Sequence, residues 1–287
     1  MVSLEKMLFP TDFSPYSMIV AEFLEDLKNA GVKEVTVLFV VNTAKLSSVS
    51  GGFDLERYIE LEEKRAEDEI PKILEKIEKA DLRAKVIKPF PSGNPVNEIV
   101  KHSKSYDFIA IGARGRGVFK EILLGSVSEG VARKSEIPVY IFKSRTEILE
   151  DGVKCYKPCD KLFARILVAF DFSKPSEMAL KYASEIAKRT GGEIILLHVD
   201  TDEKCAKDDL KPIAEDLKAK GLKVTDLKPR GLPAKLILEK QAETKATSIF
   251  LGSRGLGFPR SLIGGSVSDP VIRISDVPVF VTKAPKL

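Results

Sequence analysis

Short apolar runs alternate along the chain with longer amphipathic stretches. The runs are rich in Val, Ile and Leu and are bounded by turn residues, a pattern that is typical of buried parallel strands. Residues 14–29 have apolar side chains at helical spacing, with Ser14 as a favourable N-cap and Pro15 as a favourable first helical residue. Ser173 opens a second such stretch. This alternation predicts an α/β fold with doubly wound parallel sheets flanked by helices.

The same order of elements occurs twice. The segment KMLFPTDFSPYS around Asp12 returns as RILVAFDFSKPS around Asp171, and the run FIAIG that ends at Gly112 returns as SIFLG ending at Gly252. The first copy has about 21 additional residues after its second strand. Landmarks that recur in one order predict two homologous tandem domains.

The domain boundaries follow from where the repeats stop. We predict a first domain over residues 1–143, a linker over 144–162 and a second domain over 163–287, because the intervening stretch has no sustained hydrophobic period. Within the first copy, the charged stretch 54–80 predicts a helix with a solvated face. Pro71 is expected to kink or split that helix.

Composition narrows the functional class. Of 287 residues, 44% are hydrophobic and 31% are charged, which excludes a disordered or collagen-like chain. The net charge of +4 argues against a dedicated nucleic-acid-binding protein. No apolar run reaches the length of a membrane span, and the N-terminus has no signal-peptide pattern, so we expect a cytoplasmic protein without membrane contact.

Four Asn and one Gln beside abundant Lys and Glu are typical of hyperthermophiles, although compositional drift gives the same bias.

Three cysteines and two histidines are too few for a disulfide framework or a zinc site, so no metal ligand is predicted. Cys155 and Cys159 lie four positions apart in the predicted linker, and a disulfide between them would suit a hyperthermophile. His198 ends an apolar strand, where a structural role is favoured over a catalytic one. No side chains suggest a nucleophile or a general base, so no catalytic residue is predicted.

The most specific motif lies near the end of each copy, where glycines and serines recur at one spacing. It comprises Gly112-Ala113-Arg114-Gly115 and Gly125-Ser126-Val127-Ser128 in the first copy, and Gly252-Ser253-Arg254-Gly255 and Gly265-Ser266-Val267-Ser268 in the second. Glycines let backbone N–H groups approach an anion, and the helix predicted after the second glycine group presents unpaired N–H donors. Serine hydroxyls add donors and arginines add charge. The motif predicts a phosphate-binding loop, with a ligand-free strand–helix connection as the alternative.

Asp12 and Asp171 each follow a strand and precede a helix N-cap. A carboxylate there can accept hydrogen bonds from a ribose hydroxyl or a base amine, although an aspartate that only shapes a turn would occupy the same position. Because ligands of doubly wound sheets bind at the carboxyl ends of the strands, both aspartates are predicted on the same edge as the glycine motif.

The sequence PTDFS at Pro10–Ser14 and the spacing G-x2-G-x9-G-S resemble the universal stress protein family, over about residues 1–143 and 163–284. The resemblance implies domains of the adenine nucleotide alpha hydrolase-like type, each with five parallel strands, that bind ATP or AMP, with Mg²⁺ accompanying ATP. It implies that an aspartate and a valine hold the adenosine in each half and that the glycine motif holds the ribose and phosphates. The implied contacts are Pro10, Asp12, Val40, Ile111, Gly112, Arg114, Gly115, Gly125, Ser126, Val127 and Ser128, then Asp171, Val199, Leu251, Gly252, Arg254, Gly255, Gly265, Ser266, Val267 and Ser268.

The second copy departs from the pattern in several places. It has Ala169-Phe170 where the first copy has Pro10-Thr11, and its loop contains Phe258-Pro259, so the first site is favoured. Pro270 falls in the first turn of the following helix, where proline is tolerated. Ser50-Gly51-Gly52 resembles the phosphate loop of ATP pyrophosphatases but follows the second strand instead of the first. Neither GxGxxG nor GxxxxGK[ST] occurs, which disfavours a Rossmann dehydrogenase or a P-loop NTPase.

The leading hypothesis is a nucleotide-binding stress-response regulatory protein without fast catalysis. A slow Mg²⁺-dependent ATPase or phosphotransferase, and a ligand-free interaction module, are the alternatives. The apolar last strands, Val139–Phe142 and Val279–Thr282, predict an edge at which the two halves pair as an intramolecular pseudo-dimer. Pairing of whole chains into a homodimer is left open.

Overall fold

The computed structural model describes residues 2–45, 54–113, 125–149, 152–201, 209–253 and 266–284. The strands are β1 (Lys6–Pro10), β2 (Glu34–Leu38), β3 (Val41–Asn42), β4 (Arg83–Val86), β5 (Ser92–Gly93), β6 (Phe108–Gly112), β7 (Val139–Phe142), β8 (Arg145–Leu149), β9 (Gly152–Tyr156), β10 (Arg165–Ala169), β11 (Glu193–Leu197), β12 (Lys223–Leu227), β13 (Ser248–Gly252) and β14 (Val279–Thr282). The helices are α1 (Pro15–Met18), α2 (Leu24–Ala30), α3 (Leu55–Lys79), α4 (Pro95–His102), α5 (Ser126–Lys134), α6 (Lys174–Thr190), α7 (Lys211–Ala219), α8 (Pro233–Thr244) and α9 (Ser268–Ile274), with 3-10 turns at Ile19–Phe23, Thr43–Lys45 and Ser103–Ser105.

One ten-stranded sheet runs through both halves in the order β12-β11-β10-β13-β14-β7-β6-β1-β2-β4. Within each half the five strands are parallel and stand in the order third, second, first, fourth, fifth, which is the predicted doubly wound arrangement. β7 and β14 meet in the middle as an antiparallel pair, with Tyr140 opposite Phe280. The two last strands are therefore neighbours in one sheet.

The core has its aromatic centre where the halves meet. The ring of Phe280 lies 5.2 Å from that of Tyr140, 4.8 Å from Phe250 and 5.1 Å from Tyr182, measured between ring centroids. Phe108, from the first half, lies 6.1 Å from Phe280. Because large rings from both halves are buried in one cluster, each half stabilises the other.

The predicted first helix forms in both halves, but with different continuity. Ser14 caps α1 and Ser173 caps α6, each accepting a hydrogen bond from a backbone N–H three residues later, with proline in the first turn, as predicted. α6 then continues unbroken to its glycine C-cap. In the first half, the 3-10 turn Ile19–Phe23 separates α1 from α2.

The charged stretch 54–80 forms one helix, α3, which continues through Pro71 instead of being split by it. Pro71 is exposed, while Ile70 and Ile73 on either side are buried, so packing of these side chains holds the helix together. The helix is also more than a solvated surface, since Ala66 and Ile77 belong to the same buried stripe. Nowhere in the described stretches does a helix combine the length and apolar character needed to cross a bilayer.

The predicted linker is more ordered than its pattern indicated. β8 and β9 form an antiparallel hairpin in which Leu149 pairs with Gly152. Beyond the hairpin, the ammonium group of Lys157 lies 5.2 Å from the ring centroid of Phe23, and the N–H of Leu162 donates to Asp26 Oδ1 over 3.2 Å. The segment therefore packs on the first half before the chain enters β10.

Polar contacts also join the halves away from the sheet. Arg273 of α9 contacts Glu129 of α5 at 2.6 Å and Asp269 of its own helix at 2.9 Å. Lys283 Nζ donates to the carbonyl oxygen of Ala132, in the last part of α5, over 2.5 Å. A lysine at this position satisfies a carbonyl that the helix itself leaves without a partner.

Candidate functional site

The structure brings the predicted aspartates and valines together at the carboxyl ends of the central strands. Asp12 follows β1 and Val40 follows β2, and the register of that strand pair places the two residues opposite each other. Asp171 and Val199 have the same relation after β10 and β11. In each half the first strand lies between the second and the fourth, so the site sits where the strand order reverses.

Each aspartate is oriented by the serine that caps the next helix. Ser14 donates to Asp12 Oδ1 from its backbone N–H over 3.1 Å and from its hydroxyl over 2.6 Å. Ser173 does the same to Asp171 Oδ1, over 3.1 Å and 2.5 Å. These hydrogen bonds all fall on Oδ1, so within the described residues Oδ2 of each carboxylate is left for a ligand.

The Asp12 carboxylate is held in its charged form. Partial burial would raise the pKa of Asp12, but the hydroxyls of Ser14 and Ser17, together with the backbone N–H of Ser14, outweigh this effect and keep the pKa below its usual value. At neutral pH the group is therefore a hydrogen-bond acceptor only.

A strained residue follows each aspartate, a feature that the sequence analysis missed. Phe13 and Phe172 have φ angles of 61° and 60°, in the left-handed region that bulky residues rarely adopt. The Phe13 ring stacks on Phe39 with centroids 4.9 Å apart, and the Phe172 ring meets the edge of His198 at 5.0 Å. Such a backbone costs about 1–3 kcal/mol and persists only when its surroundings determine it. In both halves, aromatic packing fixes the turn that carries the aspartate.

His198 has the structural role that the sequence favoured. Its Nδ1 lies 2.8 Å from the carbonyl oxygen of Phe170, and the side chain is 9% exposed. Its Nε2 lies 3.6 Å from Asp200 Oδ1. Phe39 occupies the matching place in the first half, so this position supports the phenylalanine turn in both copies.

Val40 and Val199 have open backbone groups. Within the described residues, neither the N–H nor the C=O of either valine takes part in a hydrogen bond, although the residues beside them do. Val41 N–H donates to Pro91 O over 2.9 Å, and Asp200 N–H donates to Pro229 O over 3.0 Å. Both valines are half-buried, with side chains packed on the core. Among the described residues, each site thus presents one unpaired donor and one unpaired acceptor opposite a carboxylate.

The glycines that end the fourth strands have a packing role. A Cβ on Gly112 would lie 2.0 Å from the carbonyl oxygen of Tyr16, and one on Gly252 would lie 2.7 Å from Pro175 Cβ. Only glycine therefore lets the first helix of each half pass so close to the strand end. These two residues shape the site whether or not they touch a ligand.

The helix predicted after Gly125 forms as α5 and begins at Ser126, which is exposed. Gly125, with φ of 87°, stands at the N-cap, where a side chain would be strained. Ser128 differs from expectation: its hydroxyl is buried and donates to Gly112 O over 2.9 Å. That bond ties α5 to β6, so the hydroxyl is not the free ligand donor that the motif suggested.

The second half varies this arrangement. Ser268 donates to Ser253 O over 3.2 Å, as Ser128 does in the first half. However, α9 begins only at Ser268, leaving the exposed Ser266 and the half-buried Val267 outside the helix, whereas their counterparts Ser126 and Val127 lie within α5. The helix does accommodate Pro270, as predicted.

The remaining predicted contacts fall into two groups. Pro10, Ile111 and Leu251 lie within strands with buried side chains, which belong to the core. Five glycine-motif residues lie outside the described residues: Arg114, Gly115, Arg254, Gly255 and Gly265. The segment 50–53 of the set-aside glycine loop lies outside them as well.

Cysteines and acidic groups offer no metal centre in the described stretches, where no three His, Cys, Asp or Glu side chains are grouped to hold an ion. Cys155 and Cys159 are both free thiols, so the disulfide considered from the sequence is not formed. Burial raises the pKa of the Cys159 thiol to about 12, which keeps it protonated and unreactive. Cys205 lies outside the described residues.

Known proteins match the chain over both halves. The model of the universal stress protein family matches residues 3–143, 162–212 and 201–283. A solved universal stress protein from Archaeoglobus fulgidus DSM 4304 is 46% identical, with a TM-score of 0.83 over 98% of each chain. A universal stress protein of Mycobacterium tuberculosis is 27% identical over 220 residues, which is 71% of each chain. One from Methanocaldococcus jannaschii is 33% identical over 159 residues, covering 50% of this chain and 98% of that relative.

Proposed function

The chain belongs to the universal stress protein family, and we propose that it binds an adenine nucleotide, ATP or AMP, in one or both halves. In this proposal it is a stress-response regulatory protein without fast catalysis. A cytoplasmic location, expected from the sequence, belongs to the same proposal.

The open backbone groups of Val40 and Val199 carry the proposal. An adenine ring offers an amine donor beside a ring-nitrogen acceptor, which complements a residue whose C=O and N–H are both unpaired. Asp12 and Asp171 stand opposite these valines with Oδ2 available. A ribose hydroxyl donates well to such a carboxylate. Adenosine therefore matches the polar groups of each half.

The nucleotide phosphates are assigned to the start of α5 in the first half. The first N–H groups of a helix are unpaired within the helix, and its dipole favours an anion there. Ser126 is exposed at this end. In the second half the matching Ser266 precedes the helix, which supports a weaker phosphate contact there.

In this proposal Mg²⁺ is bound by the phosphates of the nucleotide and has no site of its own in the protein. Mg²⁺ usually keeps several waters and is held by one or two carboxylates together with substrate phosphates. The described residues offer no acidic cluster for it, so Mg²⁺ would arrive bound to ATP and neutralise phosphate charge. Asp12, Ser14 and Val40 bind and orient the nucleoside in this account, and none of them is assigned a chemical step.

We further infer that the two halves function as an intramolecular pseudo-dimer. The antiparallel pairing of β7 with β14 supports this, as does the Glu129–Arg273 ion pair between helices α5 and α9. Each of those helices follows the glycine motif of its own half.

The proposal is tested by denaturing the purified protein and identifying the released small molecules by chromatography and mass spectrometry. One or two equivalents of adenine nucleotide per chain are expected, and the number counts the working sites. An empty protein whose melting temperature is unchanged by millimolar ATP or AMP would contradict the proposal and favour a ligand-free interaction module. Mg²⁺-dependent turnover above about 1 s⁻¹ would instead favour an enzyme.

A further inference from the structure

An arginine from α3 reaches the first site. Arg65 Nη2 lies 3.3 Å from the carbonyl oxygen of Asp12 and donates to it. The guanidinium carbon lies 5.6 Å from the centroid of the Phe13 ring. Nη1 lies 3.5 Å from Glu62 Oε2, one turn earlier on the same helix. One side chain thus contacts both residues of the strained turn that carries the Asp12 carboxylate.

Arg65 lies where α3 begins to pack on the core. Arg65 immediately precedes Ala66, the first fully buried residue of the helix, while most of the residues before it are exposed. The Phe13 ring makes a cation–π contact with Arg65 and also stacks on Phe39. The turn is therefore held from α3 as well as from β2.

The second half carries the same turn without this support in the described residues. Phe172 has the same φ as Phe13, and its ring contacts Phe170 and His198. No described arginine or lysine donates to the carbonyl of Asp171. α7, the helix that takes the place of α3, has nine residues against twenty-five.

We propose that Arg65 is a positioning residue of the first-half nucleotide site, which fixes the Asp12–Phe13 turn and gives this site a higher affinity than the second. The inference rests on the proposed function. It assigns a role to the greater length of α3 than of α7, because Arg65 of α3 supplies the cation that orients the adenosine-binding carboxylate.

The test measures each half separately by calorimetric titration with ATP and with AMP. Asp171→Ala disables the second site, so that binding reports the first; Asp12→Ala leaves the second. In the Asp171→Ala chain, Arg65→Ala should weaken binding about tenfold, the size expected for one hydrogen bond from a charged group together with a cation–π contact. Arg65→Lys, which keeps the charge and a donor, should restore affinity to within about threefold. In the Asp12→Ala chain, Arg65→Ala should change nothing.

Two controls separate positioning from helix stability. Glu62→Gln removes the ion pair within α3 but none of the contacts with the turn, so first-site affinity should stay unchanged. The melting temperature of the ligand-free protein should be nearly the same for Arg65→Ala and wild type, because Arg65 is half exposed. A fall in melting temperature that accounts for the lost affinity would assign Arg65 a structural role and overturn the inference.

The two proposals fail differently. If the wild-type chain binds neither nucleotide, the proposed function is wrong and the inference falls with it. If the wild type binds, but Arg65→Ala in the Asp171→Ala chain binds equally well, only the inference is overturned. It is also overturned if Arg65→Lys is as weak as Arg65→Ala.

Discussion

The first helices of the two halves begin alike and then differ. In α6 the buried residues Ala179, Ala183 and Ile186 recur at helical spacing, so the helix is covered along one face. In the first half, four of the five residues in the turn Ile19–Phe23 are buried. Consecutive buried residues point to several sides of a helix, so this segment needs neighbours on more than one face.

The segment between the halves supplies those neighbours. β9 contacts α1, Lys157 lies over the Phe23 ring, and Leu162 binds Asp26. The connecting segment leaves the first half after β7 and packs back on it before the second half begins. The two copies have the same strand order but differ in the first helix, because the connecting segment packs on this helix in the first half only. The aspartate turn, with its capping serine and a φ near 60°, is the same in both halves.

The largest effect is expected from removing an aromatic ring that both halves share in the core. Phe280→Ala deletes a fully buried ring that contacts Tyr140 and Phe108 of the first half. It should lower the free energy of unfolding by about 3–5 kcal/mol. Because the ring is shared, both halves should unfold in one transition at a lower denaturant concentration than in the wild type. Circular dichroism measures this transition. Two transitions, of which only one is shifted, would mean that the halves fold independently.

A smaller effect on stability is expected from replacing Lys143, for which Lys283 provides a matched control. Lys143 is buried, and this burial lowers its pKa to about 8, with weaker opposing attraction from Asp276. Because the unfolded chain keeps its proton up to a pKa near 10.5, stability should rise with pH between about 8 and 10.5. Lys143→Met should remove this rise and stabilise the protein by about 1–3 kcal/mol at pH 7.

Lys283, the counterpart in the second half, is the matched control. It donates to Ala132 O, so Lys283→Met should destabilise the protein by about 1 kcal/mol. Urea unfolding of the three proteins at pH 7 and pH 10 measures both effects. A Lys143→Met protein that is less stable than wild type at pH 7 would contradict the assigned burial penalty.

The last comparison is between the two strand-end glycines, whose substitutions should differ from each other by only about 1 kcal/mol. Gly112→Ala should destabilise the protein by about 2–3 kcal/mol and Gly252→Ala by about 1–2 kcal/mol, because the first Cβ would meet a backbone oxygen more closely than the second meets a proline carbon. Chemical denaturation gives both values. Equal or reversed effects would mean that the α1–β6 contact is not the tighter one.

Much of the fold followed from the sequence because the signals were local. Strands showed as short Val/Ile/Leu runs, and Ser14 and Ser173 marked helix starts by capping chemistry. The β8–β9 hairpin was missed because its strands, RTEIL and GVKCY, have no sustained apolar run, unlike the strands of the main sheet. Pro71 failed to split α3 because tertiary packing overrode local preference.

The site was only partly predictable, because some of its features depend on tertiary packing between distant segments. Asp12 and Asp171 could be proposed from the sequence, since a carboxylate between a strand and a helix cap is visible locally. The role of Arg65 was not visible, because it depends on how α3 packs against a turn more than fifty residues earlier. The packing demand on Gly112, likewise, depends on the path of a distant helix.

The most direct test of the account is a calorimetric titration of the wild type, Asp12→Ala and Asp171→Ala chains with ATP and AMP. We expect the wild type to bind adenine nucleotide, each variant to lose the binding of its own half, and the first half to bind more tightly than the second. Binding that survives both substitutions unchanged, or no binding at millimolar nucleotide, would contradict the assignment of adenosine to the aspartate and valine pairs.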